Sequence, residues 1–139
     1  MPDEARNVEI LKGAYDRWRD TKGGSVDDWL NICADKMAFG SLAQGRAEAA
    51  SYLTSYSSRD ALKDYFGGLA LDWDMLDWQV RQYIAQGDSI AVVSHCTWRF
   101  KKTGKTVATP KVDVWKMSGG KAVEYFEYYD TAQVHAAVV

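Results

Sequence analysis

The chain has 139 residues, 47% hydrophobic and 26% charged, and its 17 Lys and Arg against 19 Asp and Glu leave a formal charge of −2. This balance argues against a disordered chain and against a basic, phosphate-tracking surface, and no apolar run approaches the ~20 residues of a membrane span. The start, Met-Pro-Asp-Glu-Ala-Arg, is charged and lacks the apolar stretch of an export signal, which predicts a cytoplasmic protein.

The chain reads as one domain over residues 1–139, helical in its first half and strand-rich in its second. Val8, Leu11, Tyr15 and Trp18 recur at helical spacing, with Asp3 as the cap and Gly23-Gly24 as the stop. Ser25-Val-Asp-Asp28 resembles a capping box for a second helix carrying Trp29, Leu30, Ile32 and Cys33. A short extended piece, Lys36 to Ser41, follows. Residues 42–57 fit a helical turn or a loop equally well. Ser58-Arg-Asp-Ala opens a third helix with Leu62, Tyr65, Phe66 and Leu69 on one side, and Gly67-Gly68 should loosen its end. From Asp77 the texture changes to strands: Trp78 to Gln86, Ser89 to Lys101, Thr106 to Met117, and Ala122 to Asp130. Three tight connections between them, at Gly87-Asp88, Lys102 to Lys105 and Ser118 to Lys121, imply an antiparallel meander.

Six Trp, eight Tyr and four Phe make the chain rich in rings, which suits either a ring-lined pocket or a ring-packed core. Alternation places Cys96, Trp98 and Phe100 on one strand face, opposite His95, Thr97 and Arg99. It likewise separates Asp113 and Trp115 from Val112 and Val114, and Tyr125, Glu127 and Tyr129 from Phe126 and Tyr128. Helices can cover one face. Val112, Val114, Phe126 and Tyr128 on the other call for a second cover, and a homodimer packed through the sheet supplies it. Cys33 and Cys96 match no metal spacing and read as buried thiols. No histidine partner accompanies Cys96, so a thiolate nucleophile is not expected. His95 falls on the outer face, and His135 lies in the tail. Arg99, Lys101, Lys102 and Lys105 read as a solvated hairpin tip.

The stretch Tyr83-Ile-Ala-Gln-Gly-Asp-Ser-Ile-Ala-Val-Val, then Gly104-Lys-Thr-Val, Val112-Asp-Val-Trp and Gly119-Gly-Lys-Ala-Val-Glu-Tyr-Phe-Glu-Tyr-Tyr-Asp130, resembles the nuclear transport factor 2-like superfamily, most closely its SnoaL-like and ketosteroid-isomerase-like branch. The resemblance covers nearly the whole chain. It implies an α+β conical shell: a curved antiparallel sheet, made of the four-strand meander plus the short N-terminal strand, wrapped by three N-terminal helices around an apolar pocket. By that resemblance Tyr15 and Asp113 match the tyrosine and carboxylic acid that donate together to a developing oxyanion. A carboxyl among rings loses solvation when charged, so it is favoured as a neutral donor. The family's proton-abstracting aspartate falls at about Ser41, which has no useful basicity. Glu127 matches the acid/base residue of SnoaL-type cyclases, where the family uses Asp, while an epoxide hydrolase would need an Arg and Asp pair at Ser94 and Cys96. Asp130 matches a carboxylate common at the strand end and reads as a cap. The expected site therefore comprises Glu127, Asp113 and Tyr15 as catalytic groups, with Trp18, Trp98, Trp115, Tyr125, Tyr129, Ser41 and Cys96 around a small hydrophobic ligand. Neither a metal nor another cofactor is implied. The expected activity is isomerisation or cyclisation of a small hydrophobic carbonyl or cyclic compound, with a non-catalytic small-molecule-binding domain as the alternative.

Overall fold

The computed structural model describes residues 3–42 and 58–139. Helix α1 spans Glu4–Asp20. Its Asp3 cap accepts from the Arg6 backbone N–H at 2.9 Å. At its end Gly23, with φ 83°, lets its N–H reach the Trp18 carbonyl at 3.0 Å. Helix α2 spans Val26–Ile32, and the capping box expected there does not form. Ser25 makes no side-chain cap, and its buried hydroxyl has no partner among the described residues. The short Asp28 side chain is instead held by Arg17 Nε at 2.8 Å.

Strand β1 covers Cys33–Ser41, three residues longer than expected, because Cys33 already pairs with Ala122. The uncertain stretch 42–57 lies outside the described residues except for Leu42, a turn residue. Helix α3 spans Leu62–Asp72, and the Ser58 hydroxyl accepts from the Ala61 N–H ahead of it. It runs straight through Gly67-Gly68, which were expected to loosen it. Leu62 and Tyr65 before the glycines are buried, and Leu69 beyond them packs on the core. Packing on both sides overrides the local glycine penalty.

Four long strands follow: β2 Trp73–Gln86, β3 Ser89–Phe100, β4 Thr106–Ser118 and β5 Lys121–Tyr129. They form the expected meander, in one sheet of order β1-β5-β4-β3-β2. The sheet is mixed rather than antiparallel throughout, since β1 runs parallel to β5. Register shifts between Met75 and Asp77, Val80 and Gln82, and Lys116 and Met117 mark bulges, which bend a sheet and increase its twist. The fold is an α+β cone: the sheet curves around the core, and α1 packs mainly on β2. A fourth helix, α4 (Thr131–Val138), occupies what the sequence presents as a tail. Asp130 caps it, accepting from the Gln133 N–H at 3.1 Å. The helix packs against β4 and β3, where Trp73, Val107 and Ala137 form a second apolar cluster. Among the described residues no helix is long and apolar enough to cross a membrane.

The outer face shows one close approach. Gly40 is paired with Phe126, and a Cβ at Gly40 would lie 2.5 Å from the Phe126 ring. Glycine is required because the ring lies over the backbone.

Candidate active site

Strand pairing places the polar residues in one row. Ser41 of β1 is registered with Glu127 of β5, Glu127 with Asp113 of β4, and Asp113 with Val92 of β3. Pleating turns these side chains to the same face, toward the helices. The row on one side holds Phe39, Tyr125 and Trp115; the row on the other holds Lys111 and Ser94. Asp113 and Glu127 are each only 2% exposed, so two carboxyl groups stand side by side inside the shell.

Lys111 makes this arrangement tenable. Its side chain is 11% exposed, and its Nζ lies 3.0 Å from Asp113 Oδ1 and 3.3 Å from Glu127 Oε1. The ammonium also donates to the Tyr125 hydroxyl at 2.9 Å, so its three protons have three acceptors. It sits 5.0 Å from the Trp78 ring centroid and 5.7 Å from that of Tyr125. Burial alone pulls a lysine pKa down, but Asp113 and Glu127 beside it hold this one above its ordinary value. Lys111 is therefore a fixed positive charge rather than an amine nucleophile.

Hydroxyls complete the cluster. Tyr15 O–H donates to Asp113 Oδ2 at 2.5 Å, and the Trp115 indole N–H donates to the Tyr15 oxygen at 2.9 Å. Tyr125 O–H lies 2.9 Å from Asp113 Oδ1 and 3.2 Å from Glu127 Oε1, so one proton bridges the two carboxyl groups. Ser41 donates to Glu127 Oε2 at 2.7 Å and Tyr65 to Oε1 at 3.2 Å. Burial first, and the neighbouring carboxylates second, push the phenols of Tyr15, Tyr65 and Tyr125 well above the ordinary tyrosine value. These phenols stay protonated as donors. The same burial raises the Cys96 thiol to about 11 and the Cys33 thiol to about 12, so neither offers a thiolate near neutrality.

The cluster faces a cavity of about 110 Å³. Tyr15, Trp18, Cys96, Trp98, Asp113, Trp115, Tyr125, Glu127 and Tyr129 all belong to its wall. Ser41 is buried but lies outside that wall, bonded to Glu127 Oε2. Tyr15 and Asp113, expected to converge on a ligand oxygen, are instead hydrogen-bonded to each other. Sequence reasoning missed Lys111, Trp78, Trp29 and Tyr65. Lys111 was visible in principle, being two residues before Asp113 and four before Trp115 on one alternating face. His95 and His135 lie outside the wall. Among the described residues no group of three His, Cys, Asp or Glu side chains is placed to hold a metal ion.

Comparison with known proteins places the chain in a family. The SnoaL-like domain matches residues 12–125. Among solved structures, an NTF2-like protein from Burkholderia thailandensis E264 superimposes with a TM-score of 0.80 at 20% identity, over 96% of this chain and 97% of that one. A candidate SnoaL-like polyketide cyclase from Mesorhizobium loti gives 0.72 at 20% identity, over 88% and 97%. A candidate isomerase from Bacillus subtilis gives 0.80 at 14% identity, over 99% and 95%. No curated protein matches the sequence.

Proposed function

The chain belongs to the SnoaL-like domain family, and from that premise we propose that it is a cofactor-free acid/base catalyst that isomerises or cyclises a small cyclic or carbonyl compound. The observation that carries the reading is Glu127: a buried carboxylate on the wall of a ring-lined cavity, with Lys111 3.3 Å away. Candidate cyclase and isomerase proteins with the same fold support it at the level of architecture.

In this reading Glu127 Oε1 takes a proton from the carbon beside the substrate carbonyl. The C–H electron pair becomes part of an enolate, and the negative charge passes from Glu127 to the substrate oxygen. Once protonated, Oε1 no longer draws Lys111, Tyr65 and Tyr125 as strongly, and these donors turn to the new oxyanion. Glu127 then returns the proton to a different carbon, which is isomerisation. In cyclisation the enolate carbon instead attacks a second carbonyl carbon, whose oxygen receives the proton. Asp113, held by Tyr15, keeps Lys111 and Tyr125 in place. The net charge of site plus substrate does not change, which favours the reaction in a poorly solvated cavity. At about 110 Å³ the cavity is smaller than the apolar cavity of about 150 Å³ that takes benzene, so the substrate is at most one small ring.

Proton abstraction can be tested without knowing the substrate. Exchange of the α-protons of cyclopentanone in D2O, followed by NMR, should be accelerated by the wild type. Glu127→Gln should lose about 10²–10⁴-fold of that acceleration. Equal exchange by both proteins would end the assignment. One observation favours the second reading, ligand binding without chemistry: every donor of the cluster is engaged internally before any ligand arrives. In that case Glu127→Gln changes affinity and no rate.

We also propose a homodimer packed through the outer sheet face. Its support is Tyr128 at 45% and Ile84 at 48% exposure, beside the Phe126–Tyr128 ring pair at 4.8 Å.

A further inference from the structure

The cavity wall has an unequal charge count. Two carboxylates, Asp113 and Glu127, face one ammonium, Lys111, and no other charged side chain occurs among the described residues of the wall. The hydrogen-bond count is unequal in the same direction. Each donor of the cluster already reaches an acceptor: Tyr15, Tyr65, Tyr125 and Ser41 through their hydroxyls, Lys111 through its ammonium. The carboxylate oxygens, with two lone pairs each, offer more positions than these donors fill. A ligand carbonyl entering the resting site finds these five donors already engaged and meets one unpartnered donor on the described wall, the neutral Trp78 indole N–H. Asp113 Oδ2 and Glu127 Oε2 each accept only one of these bonds, which leaves a lone pair on each for a ligand N–H.

The rings point the same way. The Lys111 ammonium rests against the rings of Trp78 and Tyr125, so this wall already carries a cation against aromatic surface. Buried charges are tolerated when paired. One further monocation brings the described residues of the wall to two carboxylates against two cations, and hence to neutrality.

We infer that the preferred occupant of this cavity is a small organic cation, a protonated or alkylated amine of about one ring's size, held by Glu127 and Asp113 against the aromatic wall. Anionic compounds of the same size are excluded, and neutral ones bind more weakly. The inference rests on reading the cavity as a ligand site. It does not require the site to carry out proton abstraction. If both hold, the substrate carries a basic nitrogen as well as its reacting carbon.

The test is calorimetric titration of the full chain near neutral pH with three probes of similar size: cyclopentylammonium, cyclopentanone and pivalate. Cyclopentylammonium should bind one per chain, at least about tenfold more tightly than cyclopentanone, and pivalate should not bind. Glu127→Gln should erase the preference for the cation. In the wild type, the indole N–H resonances of Trp78 and Trp115 should move along the same binding curve. This places the cation in the cavity even if the variant does not fold. If cyclopentanone or pivalate binds as tightly as the cation, the inference fails and the cavity remains a ligand site. A cation that binds without moving those two indoles, or equally well to a folded Glu127→Gln, also overturns it. If none of the three binds, both the inference and the ligand-site reading fall.

Discussion

The two faces of strands β4 and β5 are built from alternate residues of the same few segments, yet they invert the usual pattern. The inner face carries Lys111, Asp113 and Glu127, charged and nearly removed from water. The outer face carries Val112, Val114, Phe126 and Tyr128, apolar and only partly covered. Burial of charge costs several kcal/mol per ion unless each group is paired and hydrogen-bonded, so the inner face is held by a closed network. The outer face has no such network, and its apolar surface is what a second protein surface would cover. The polarity of a strand face here reports its use rather than its depth.

The sharpest way to break the inner face is to remove its cation. Lys111→Met leaves two carboxylates opposite each other, and a buried pair broken from one side costs about 3–5 kcal/mol. Urea unfolding should show a loss of that order, whereas a loss below about 1 kcal/mol would mean the network is not holding the face together. Alkali should act next. The phenols of Tyr15, Tyr65 and Tyr125, the thiols of Cys33 and Cys96 and the ammonium of Lys111 all have raised pKa values in the folded chain. Each such group keeps its proton longer folded than unfolded, so each contributes stability that is complete below its unfolded pKa and lost as the pH climbs through the folded one. Stability should therefore fall from about pH 9 upward, with Cys96, shifted from 9.0 to about 11, accounting for about 3 kcal/mol of the loss. Denaturant midpoints at pH 7, 9 and 10.5 check the sign; a flat profile contradicts it.

On the outer face the effects are smaller. Gly40→Ala pushes a methyl group to within 2.5 Å of the Phe126 ring and should cost about 1–2 kcal/mol. Combining it with Phe126→Ala should recover much of that cost, so a double-mutant cycle measures the close approach directly. Tyr128→Lys should leave monomer stability within about 0.5 kcal/mol, as exposed substitutions do. It should nevertheless convert the proposed dimer to monomer in light scattering. If the wild type is already monomeric at micromolar concentration, the proposed dimer is lost.

The same alternation explains what the sequence made legible. Period two put Asp113 with Trp115 and Glu127 with Tyr125 and Tyr129, and all five line the cavity. One step further back along the strand is Lys111, whose place on this face is hard to foresee because lysine is seldom buried. The first five residues of β2 were missed for a different reason. Trp73, Met75 and Trp78 are its buried residues, and the bulge between Met75 and Asp77 breaks the alternation that would announce a strand. Helix α4 is only eight residues long and follows Asp130, whose capping role was readable while the helix was not. The direction of β1 against β5 was beyond local pattern altogether. It is set by pairing across more than eighty positions, as in Ser41 with Glu127.

That long pairing has a kinetic consequence. Tyr15 and Asp113 are 98 positions apart, and Ser41 and Glu127 are 86 apart. The polar cluster thus joins the first helix, the first strand and the last strand. Closing such loops comes at an entropic disadvantage that local contacts do not face, and chains dominated by them fold slowly. Until Glu127 arrives opposite Ser41, the growing chain holds its rings and Lys111 without the second carboxylate. A nascent chain still missing β5 can collapse, but it has no Glu127 and hence no site. The complete cluster should therefore form after the collapse of the hydrophobic core, as a late event of folding.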